Sequence, residues 1–537
     1  MNGNQTNGIK INGRHCIGFS ASREGNDVFA ACDPATGAEL EPSYAEATAA
    51  EIDRALALAQ SAHASWKRLP RERRADLLEK IADEIEALGA PLLEAANRET
   101  ALPLPRLTGE RGRTVGQLRL FAAEVRDGSW LDARIDRAIP DRAPLPKPDV
   151  RSFQQALGPV VVFGASNFPL AFSVAGGDTA SALAAGCPVV AKGHPAHPAT
   201  SELVGGAIQR AVQALDLPEG TFSLLHGRSN DLGATLVRDP RVQAVGFTGS
   251  LRGGKALFDL AASRPDPIPV YAEMGSTNPV FVLPGALAQG NGNVAAGLAG
   301  SVTLGVGQFC TNPGLVVALA GETTQELASS LAAKLGEVPV GTMLHPGIRA
   351  AYDAGVERLR STPGVQALTN GTAQGEVNKS SAAAALFQTD ATTFRDHPGL
   401  SEEVFGPSTL LVTCSSKDEM LDLAKGLEGQ LTSTLLANDD DLEAFEGLVD
   451  VLTEKAGRVI FNGYPTGVEV CPSMHHGGPF PATTAAATTS VGTRAIRRFT
   501  RPICFQGAPQ QALPLELRDK TEGLLRMIDS EWSREAI

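Results

Sequence analysis

The chain has 537 residues, too many for one hydrophobic core, so we expect two or more structural units. Hydrophobic residues make up 43% and charged residues 20%, as in an ordinary globular protein, and no apolar run is long enough to span a bilayer. The polar N-terminus lacks an apolar signal core, and a net charge of −13 disfavours a general nucleic-acid binder. We therefore expect a cytoplasmic protein without a membrane span or a nucleic-acid partner.

The first predicted elements are helices. Thr48 and Glu51 form a capping-box pattern, and apolar residues follow at helical spacing as far as Trp66. Pro70 separates this helix from a second one, for which Gly89 is a suitable end. A third helix is predicted over residues 113–126, and the proline-rich segment 142–150 is predicted to connect two units.

Short apolar runs then alternate with helical stretches, which is typical of buried parallel strands in a doubly wound α/β sheet. The runs are PVVVFGAS, PVVAKG, FSLLHG and VQAVGFTGS. A second α/β unit is predicted from about residue 273. The late segment RAIRRFTRPICFQG is predicted to form a strand at a sheet edge that serves assembly.

Cysteine and histidine spacing predicts no metal site. The seven cysteines are scattered, odd in number and never arranged as C-x-x-C, so we expect neither a disulfide framework nor zinc. The nine histidines form no ligand-spaced cluster. His475 and His476 are adjacent, so their side chains are expected to point apart.

Two polar side chains follow predicted strands. Asn167 lies in FGASNFPLAF, where open α/β sheets place ligand groups, and its amide can donate to a developing oxyanion. Its alternative role is that of a turn asparagine before Phe168 and Pro169. Glu273 lies at a strand end in YAEMGSTNPVFVL, where a carboxylate can act as a general base; a solvated glutamate is the alternative.

A glycine-rich turn indicates a nucleotide site. Lys192 ends one apolar strand, and Gly249, Ser250, Gly253 and Gly254 lie between another strand and a helix. Backbone N–H groups at such a helix start can approach a pyrophosphate. The pattern is not G-x-G-x-x-G, so a glycine-rich turn without a ligand remains the alternative.

Cys310 is the candidate nucleophile. It stands among small and polar residues in GQFCTNPG, and a thiolate is a strong nucleophile when its surroundings lower the pKa. A single cysteine is otherwise a small buried hydrophobe. Further on, EEVFGP offers Glu403 and Phe405, a carboxylate and a ring that can hold a ribose and pack against a nicotinamide; an exposed charge beside a core aromatic is the alternative.

In this order and spacing, the motifs resemble those of the aldehyde dehydrogenase superfamily, from about residue 30 to 507. The resemblance implies a Rossmann-like cofactor domain, an α/β catalytic domain and a small β oligomerisation arm, assembled as a homodimer or homotetramer. The implied boundaries are 1–134 and 158–272 for the cofactor domain, 273–482 for the catalytic domain, 135–157 and 483–510 for the arm, and 511–537 for a C-terminal tail.

The resemblance also implies roles for matching residues. Cys310 resembles the nucleophile, Asn167 with the backbone N–H of Cys310 resembles the oxyanion hole, and Glu273 resembles the base for the deacylating water. The implied reaction oxidises an aldehyde to an acid through a thioester. Cofactor contacts are expected at Lys192, His194, Pro195, Arg228, Gly249, Ser250, Gly253, Gly254, Glu403 and Phe405.

The amino-acid sequences of several segments are most similar to those of the branch that contains α-ketoglutarate semialdehyde (2,5-dioxopentanoate) dehydrogenases and NADP-dependent fatty aldehyde dehydrogenases. Many NAD-using relatives carry an acid three residues after the lysine, but Pro195 stands there in this chain, which tolerates a 2′-phosphate. Arg228 can supply positive charge to that phosphate; a solvated loop arginine is its alternative. We therefore expect NADP as the cofactor, with NAD as an alternative.

The substrate is expected to be 2,5-dioxopentanoate, with a medium- or long-chain fatty aldehyde as the alternative and a non-catalytic binding protein as a remote one. Arg113 lies one turn before Gln117 on a helix that resembles the wall of an aldehyde tunnel. An arginine there can pair with a distal carboxylate, although an ordinary surface arginine is the alternative. Phe168 and Phe172 are expected to line the same tunnel, which core packing explains almost as well.

Overall fold

The computed structural model describes residues 11–66, 68–369 and 380–537. In chain order the strands are β1 (His15–Ile17), β2 (Ser20–Ser22), β3 (Val28–Cys32), β4 (Glu39–Ala45), β5 (Ala133–Asp136), β6 (Val150–Ala156), β7 (Val160–Phe163), β8 (Val189–Lys192), β9 (Phe222–Leu225), β10 (Ala244–Thr248), β11 (Val270–Glu273), β12 (Val280–Val282), β13 (Leu315–Leu319), β14 (Gly341–Thr342), β15 (Gln366–Ala367), β16 (Ser381–Ala382), β17 (Ala385–Asp390), β18 (Ser408–Cys414), β19 (Gln430–Leu436), β20 (Ala456–Phe461), β21 (Thr500–Gln506), β22 (Arg526–Ile528) and β23 (Glu531–Ser533).

The α-helices follow the same order. They are α1 (Ala49–Trp66), α2 (Arg71–Ala87), α3 (Gly89–Thr100), α4 (Leu104–Asp127), α5 (Gly177–Ala185), α6 (Pro198–Ala214), α7 (Asn230–Arg238), α8 (Leu251–Ala262), α9 (Pro284–Thr303), α10 (Glu322–Glu337), α11 (Pro346–Ser361), α12 (Ala391–Asp396), α13 (Lys417–Gly426), α14 (Asp439–Ala444) and α15 (Glu446–Lys455). Within the described residues, none of them combines the length and apolar character that a bilayer span requires.

The first sheet has the order β11-β10-β7-β8-β9-β1-β2, and its strands from β7 to β11 are parallel. The chain runs from β7 through β8 to β9, then crosses to place β10 and β11 on the other side of β7. All residues of β7 are buried, which is why a continuous apolar run marks it. The four predicted strands and the doubly wound α/β fold are confirmed. Because the order reverses between β7 and β10, a ligand site is expected at their carboxyl ends.

The second sheet has the order β15-β17-β18-β13-β12-β19-β20 and is parallel except for β15. The chain order again reverses, here between β12 and β19. Helices cover it, and its core includes Phe281, Phe387 and Leu435 on one face. This is the α/β unit predicted from about residue 273.

The three predicted helices are confirmed as α1, α2 and α4. The capping box is present: the N–H of Glu51 donates to Thr48 Oγ1 at 3.2 Å, and the N–H of Thr48 donates to Glu51 Oε2 at 2.9 Å. Helix α4 begins nine residues earlier than the apolar pattern predicted, directly after Pro103, which serves as its N-cap residue. Gly89 follows the end of α2 with a φ of +60°, a conformation that favours glycine.

The third sheet has the order β21-β6-β5-β22-β23. The late segment does supply an edge strand, β21, although its first part forms a 3-10 helix instead. The segment 142–150 was wrongly expected to connect two units: it leads from β5 into β6 of this same sheet. Its prolines lack an N–H for a ladder and keep most of it in an exposed loop. Residues 511–537, set apart above as a tail, contribute β22 and β23.

Candidate active site

Residues from two sheets meet in one cleft. In the first sheet, Lys192 and Glu273 are the last residues of β8 and β11, and Asn167 follows β7. In the second sheet, Cys310 precedes β13 and Glu403 precedes β18. The carboxyl edge of the first sheet therefore faces the amino edge of the second.

Cys310, His476 and Glu273 form a compact group at the centre of this cleft. The Sγ of Cys310 lies 3.4 Å from Nε2 of His476, and the same nitrogen lies 2.8 Å from Oε1 of Glu273. Glu273 and His476 are 3% and 0% exposed. The structure thus brings together the predicted nucleophile and base, and it adds a histidine between them that the sequence analysis missed.

The charges of this group are coupled. Burial raises the pKa of Glu273, but His476, Ser490 and Cys310 stabilise its charged form and hold the pKa below its ordinary value. Burial and the negative charge of Glu273 raise the pKa of the Cys310 thiol well above its ordinary value, and Arg113 partly opposes that shift. The resting group therefore contains an ionised glutamate beside a protonated thiol.

The Gly/Thr-rich segment 477–493 holds His476 and Glu273 in place. The N–H of His476 donates to Thr489 Oγ1 at 2.8 Å, and Ser490 Oγ donates to Glu273 Oε2. The N–H of Met274 donates to the carbonyl of Ala482 at 2.8 Å. The expected oligomerisation arm began at residue 483, but residues 483–493 lie against the active site because their hydroxyl groups bond to its buried polar atoms.

The loop that carries Cys310 is fixed by two asparagines. Asn167 Nδ2 donates to the carbonyl of Gln308 at 3.0 Å, and the amide carries a second N–H for another acceptor. Asn278 Nδ2 donates to the carbonyls of Cys310 and Asn312, each at 2.9 Å. Asn278 lies in the motif that contains Glu273, and the sequence analysis assigned it no role.

Four of the predicted nucleotide residues, Gly249, Ser250, Gly253 and Gly254, lie at the start of α8. Ser250 caps this helix by accepting a bond from the N–H of Gly253 at 3.2 Å. A Cβ at Gly254 would lie 2.7 Å from the Met274 side chain and 3.1 Å from Cβ of Ala272 in β11, so glycine here allows α8 to pack closely on that strand. Burial lowers the pKa of Lys192 to about 8, and Glu46 opposes the shift. A helix start with small residues, at the same sheet edge as a buried lysine, fits a dinucleotide phosphate.

Glu403 and Phe405 line a small cavity with Thr277 and Asn312. Burial raises the pKa of Glu403 to about 7, and a hydrogen bond from the backbone of Ser276 opposes that shift. A Cβ at Gly275 would lie 2.3 Å from Glu403 Oε2, so this glycine allows the carboxylate to approach. A carboxylate and a ring side by side fit a ribose and a nicotinamide.

The residues expected at the adenosine end lie in two turns. His194 and Pro195 precede α6, where the ring of His194 stacks on His197 at 5.5 Å between centroids. Arg228 is exposed, and its Nη2 lies 3.6 Å from Asp27 Oδ1. Glu46 accepts hydrogen bonds from the N–H groups of Arg228 at 2.8 Å and Ser229 at 3.1 Å.

An acid thus lies near Lys192 even though Pro195 occupies the position where many relatives carry one. Glu46 interacts electrostatically with Lys192, but both of its oxygens also bond to the loop of Arg228. It comes from a distant segment of the chain, so local sequence comparison with Pro195 did not find it.

The predicted tunnel residues cluster around Phe172. Its ring lies 5.3 Å from that of Phe168 and 6.5 Å from that of His476, between centroids. The Arg113 guanidinium lies 5.5 Å from the Phe172 centroid, and its Nη1 donates to the carbonyl of Val468. Arg113 is therefore half-buried rather than an ordinary surface arginine. Gln117 is buried further along α4, next to Gly177 at the start of α5.

A second arginine, which the sequence analysis missed, lies in the same region. Arg458 donates to the carbonyls of Gly467 at 3.1 Å and Pro465 at 2.8 Å, and its charge interacts with Cys310. Arg113 and Arg458 therefore both bind the segment 465–468.

The family model described as "Aldehyde dehydrogenase family" matches residues 19–481. The chain belongs to the aldehyde dehydrogenase family. It is an oxidoreductase that oxidises aldehydes to carboxylic acids, as expected from its motifs. The remote alternative, a binding protein without activity, is set aside by this membership together with the relatives below.

Two relatives are similar over most of their length. The chain is 51% identical to alpha-ketoglutaric semialdehyde dehydrogenase 2 of Azospirillum brasilense, covering 95% of this chain and 97% of that one. It is 46% identical to alpha-ketoglutaric semialdehyde dehydrogenase of Acinetobacter baylyi, covering 89% and 90%.

Solved structures confirm the fold. Aldehyde dehydrogenase C of Pseudomonas syringae, in complex with NAD+ and octanal, aligns with a TM-score of 0.78 at 21% identity over 92% of this chain and 97% of that one. At this level of identity the match establishes the aldehyde dehydrogenase fold alone.

Proposed function

We propose that this aldehyde dehydrogenase oxidises 2,5-dioxopentanoate to 2-oxoglutarate, with NADP as the preferred acceptor and NAD as the alternative. The observation that best supports this substrate is the position of Arg113, a half-buried cation beside Phe172 and near the nucleophile. Within the described chain, its Nε and Nη2 are buried without a hydrogen-bond partner. These donors suit the distal carboxylate of a semialdehyde acid. The names of the two similar relatives support the same substrate.

Cys310 is the proposed nucleophile, and its thiol must first lose a proton. Nε2 of His476 lies 3.4 Å from Sγ and 2.8 Å from Oε1 of Glu273, so it can take the proton and pass it to the carboxylate. The ionised state of Glu273 makes it the acceptor. The sulfur then adds to the aldehyde carbon, which leaves an oxyanion on the substrate.

Asn167 is the proposed donor to this oxyanion. One N–H of its amide is bonded to Gln308, and the other is available to the substrate together with the backbone N–H of Cys310. Such a donor contributes about 3 kcal/mol in comparable sites. When bound, the nicotinamide cofactor supplies the hydride acceptor, and Lys192, the start of α8 and Glu403 are the proposed residues that hold it.

Hydrolysis of the resulting thioester returns Cys310 to its resting state. Once the proton taken from Cys310 has left to solvent, Glu273 is again a buried anion, as in the resting site, and it can deprotonate a water molecule that attacks the thioester carbon. The carboxylic acid then leaves and the sulfur is reprotonated. A base at this position favours hydrolysis over acyl transfer to a thiol acceptor.

The NADP preference rests on Pro195 and Arg228. Pro195 stands at a position where an acidic residue would repel a 2′-phosphate. Arg228 is exposed on the neighbouring loop. The negative charge of Glu46 opposes binding of the 2′-phosphate. Its hydrogen bonds favour that binding, because they anchor the loop that carries Arg228.

A fatty aldehyde is the second candidate substrate. Phe168 contacts both Phe172 and Phe309 edge to face, with centroids 5.3 and 5.2 Å apart, and these rings suit an apolar chain. A steady-state comparison of kcat/KM for 2,5-dioxopentanoate and octanal, each with NADP and NAD, separates the candidates. A preference for octanal would overturn the semialdehyde proposal.

We further propose a cytoplasmic homodimer or homotetramer with the domain boundaries given above, except that residues 483–493 belong to the active site and residues 511–537 to the third sheet. Strand β21 lies at the edge of the third sheet, and residues such as Arg501 and Pro502 are exposed on it. An exposed edge strand can pair with another chain. Light scattering after size exclusion tests this, since a monomeric mass would contradict the assembly.

A further inference from the structure

The group formed by Cys310, His476 and Glu273, called the trio below, also has the composition of a metal site. Sγ, Nε2 and a carboxylate oxygen all lie within 4.8 Å of one another. Within the ranges 11–66, 68–369 and 380–537, this is the one group of three or more such side chains that comes together in this way.

The distances within the trio are close to those of a tetrahedral zinc site. Bonds of about 2.0–2.3 Å at tetrahedral angles place donor atoms about 3.3–3.6 Å apart. Nε2 of His476 lies 3.4 Å from Sγ and 2.8 Å from the oxygen of Glu273. To reach that spacing, the distance between Nε2 and the Glu273 oxygen must widen by about half an ångström. Thiolate, imidazole and carboxylate are the ligands that Zn²⁺ accepts.

The charges of the trio also match a divalent cation. An ionised Cys310 beside an ionised Glu273 would place two negative charges in a buried site, and the carboxylate already disfavours the thiolate. A bound Zn²⁺ cancels both charges. Zinc binding breaks the S–H bond of Cys310, and the thiol releases one proton to solvent as the sulfur–zinc bond forms.

We propose that the trio binds one Zn²⁺ ion per chain, reversibly and as an inhibitor rather than as a cofactor. The ion would occupy the sulfur and the carboxylate that the dehydrogenase reaction needs, with water as a fourth ligand. Nδ1 of His476 is buried without a hydrogen-bond partner among the described residues, so it lacks the outer-shell acceptor that resident zinc histidines have. This favours reversible binding.

The test uses the full-length enzyme without NAD(P), treated with EDTA and desalted. Titration with Co²⁺ should give one tetrahedral cobalt per chain with a sulfur-to-cobalt charge-transfer band, and Zn²⁺ should displace it. Cys310→Ser should abolish the band. His476→Ala should weaken binding by about 100-fold or more, since loss of an outer-shell partner alone costs about 10–100-fold. Zn²⁺ should inhibit the wild-type enzyme, and EDTA should restore its activity.

His475→Ala and Cys471→Ser are matched controls, since both residues are close in sequence but outside the trio, and they should bind Co²⁺ like the wild type. Thermal unfolding of each variant verifies that it is folded. A charge-transfer band that persists in Cys310→Ser, an unchanged affinity in His476→Ala, or no thiolate band in the wild type would each overturn the proposal.

Discussion

Nε2 of His476 lies 2.8 Å from Oε1 of Glu273, and both side chains are almost completely shielded from solvent. This contact connects the second histidine of the adjacent pair, His475 and His476, to the last residue of β11. Because the same nitrogen also lies 3.4 Å from Sγ of Cys310, we propose that the histidine carries protons between these two groups during the reaction.

Replacing His476 should slow the acylation of Cys310. We expect His476→Asn to lower kcat/KM by about 10²–10³-fold, since a positioned proton carrier contributes about 10²–10⁴-fold. Single-turnover formation of NAD(P)H measures the effect. His475→Asn is the matched control and should stay within about twofold of the wild type. Equal losses in both variants would indicate disturbed folding of the loop instead.

The reactivity of Cys310 should depend on pH in a specified direction. Burial and Glu273 both raise the pKa of this thiol, so its alkylation by iodoacetamide should accelerate as the pH rises through and above neutrality. Glu273→Gln removes the negative charge and should shift that profile to lower pH. Burial is the larger cause, so the pKa should remain raised in the variant.

Mass spectrometry of the peptide that contains Cys310 follows this alkylation, and Cys471 serves as an internal reference. A profile that shifts to higher pH in Glu273→Gln would contradict the assigned coupling between the two groups.

Removing Arg113 should affect the acidic substrate selectively. A hydrogen bond to a charged group contributes about 1.5–3 kcal/mol, so Arg113→Ala should lower kcat/KM for 2,5-dioxopentanoate by about 10- to 150-fold, mainly through KM. Octanal oxidation should change little. Arg119→Ala is the control, because Arg119 is exposed on the same helix and pairs with Asp83 and Glu86. Equal losses for both aldehydes would refute carboxylate binding by Arg113.

Arg228 should matter for NADP but not for NAD. We expect Arg228→Ala to lower kcat/KM for NADP by about fivefold, since one exposed ion pair with a phosphate contributes about 1 kcal/mol. The value for NAD should stay nearly constant. Arg238→Ala, at the exposed end of α7, is the control. A parallel loss with NAD would mean that Arg228 acts through the fold of its loop.

Local patterns were sufficient to predict the framework. The apolar runs located β7, β8, β9 and β10, and parallel strands bring the residues at their carboxyl ends to one edge. Asn167, Lys192 and Glu273 therefore lie on the same side of the first sheet, as the motif order indicated. Cys310 was located by its motif, because small and polar neighbours distinguish it from the buried cysteines.

Contacts between distant segments were not predictable in the same way. His476 was not predicted to be a site residue, because the side chains of adjacent residues point apart. Only one histidine of the pair needs to face the site, however, and the other can lie elsewhere. Glu46 reaches the loop of Arg228 across 182 positions of sequence. Asn278 lies in a turn and donates to the carbonyl of Cys310, and hydrophobic periodicity does not predict such a contact. Each of these depends on tertiary packing rather than on local pattern.

We propose that the substrate becomes bound as a thioester to Cys310. Rapid quenching of the enzyme with 2,5-dioxopentanoate and NADP, followed by peptide mass spectrometry, tests it directly. We expect the acyl mass on the peptide containing Cys310, and a larger amount of it in Glu273→Gln because hydrolysis is slowed. An acyl group on another cysteine, or full activity in Cys310→Ala, would contradict the claim.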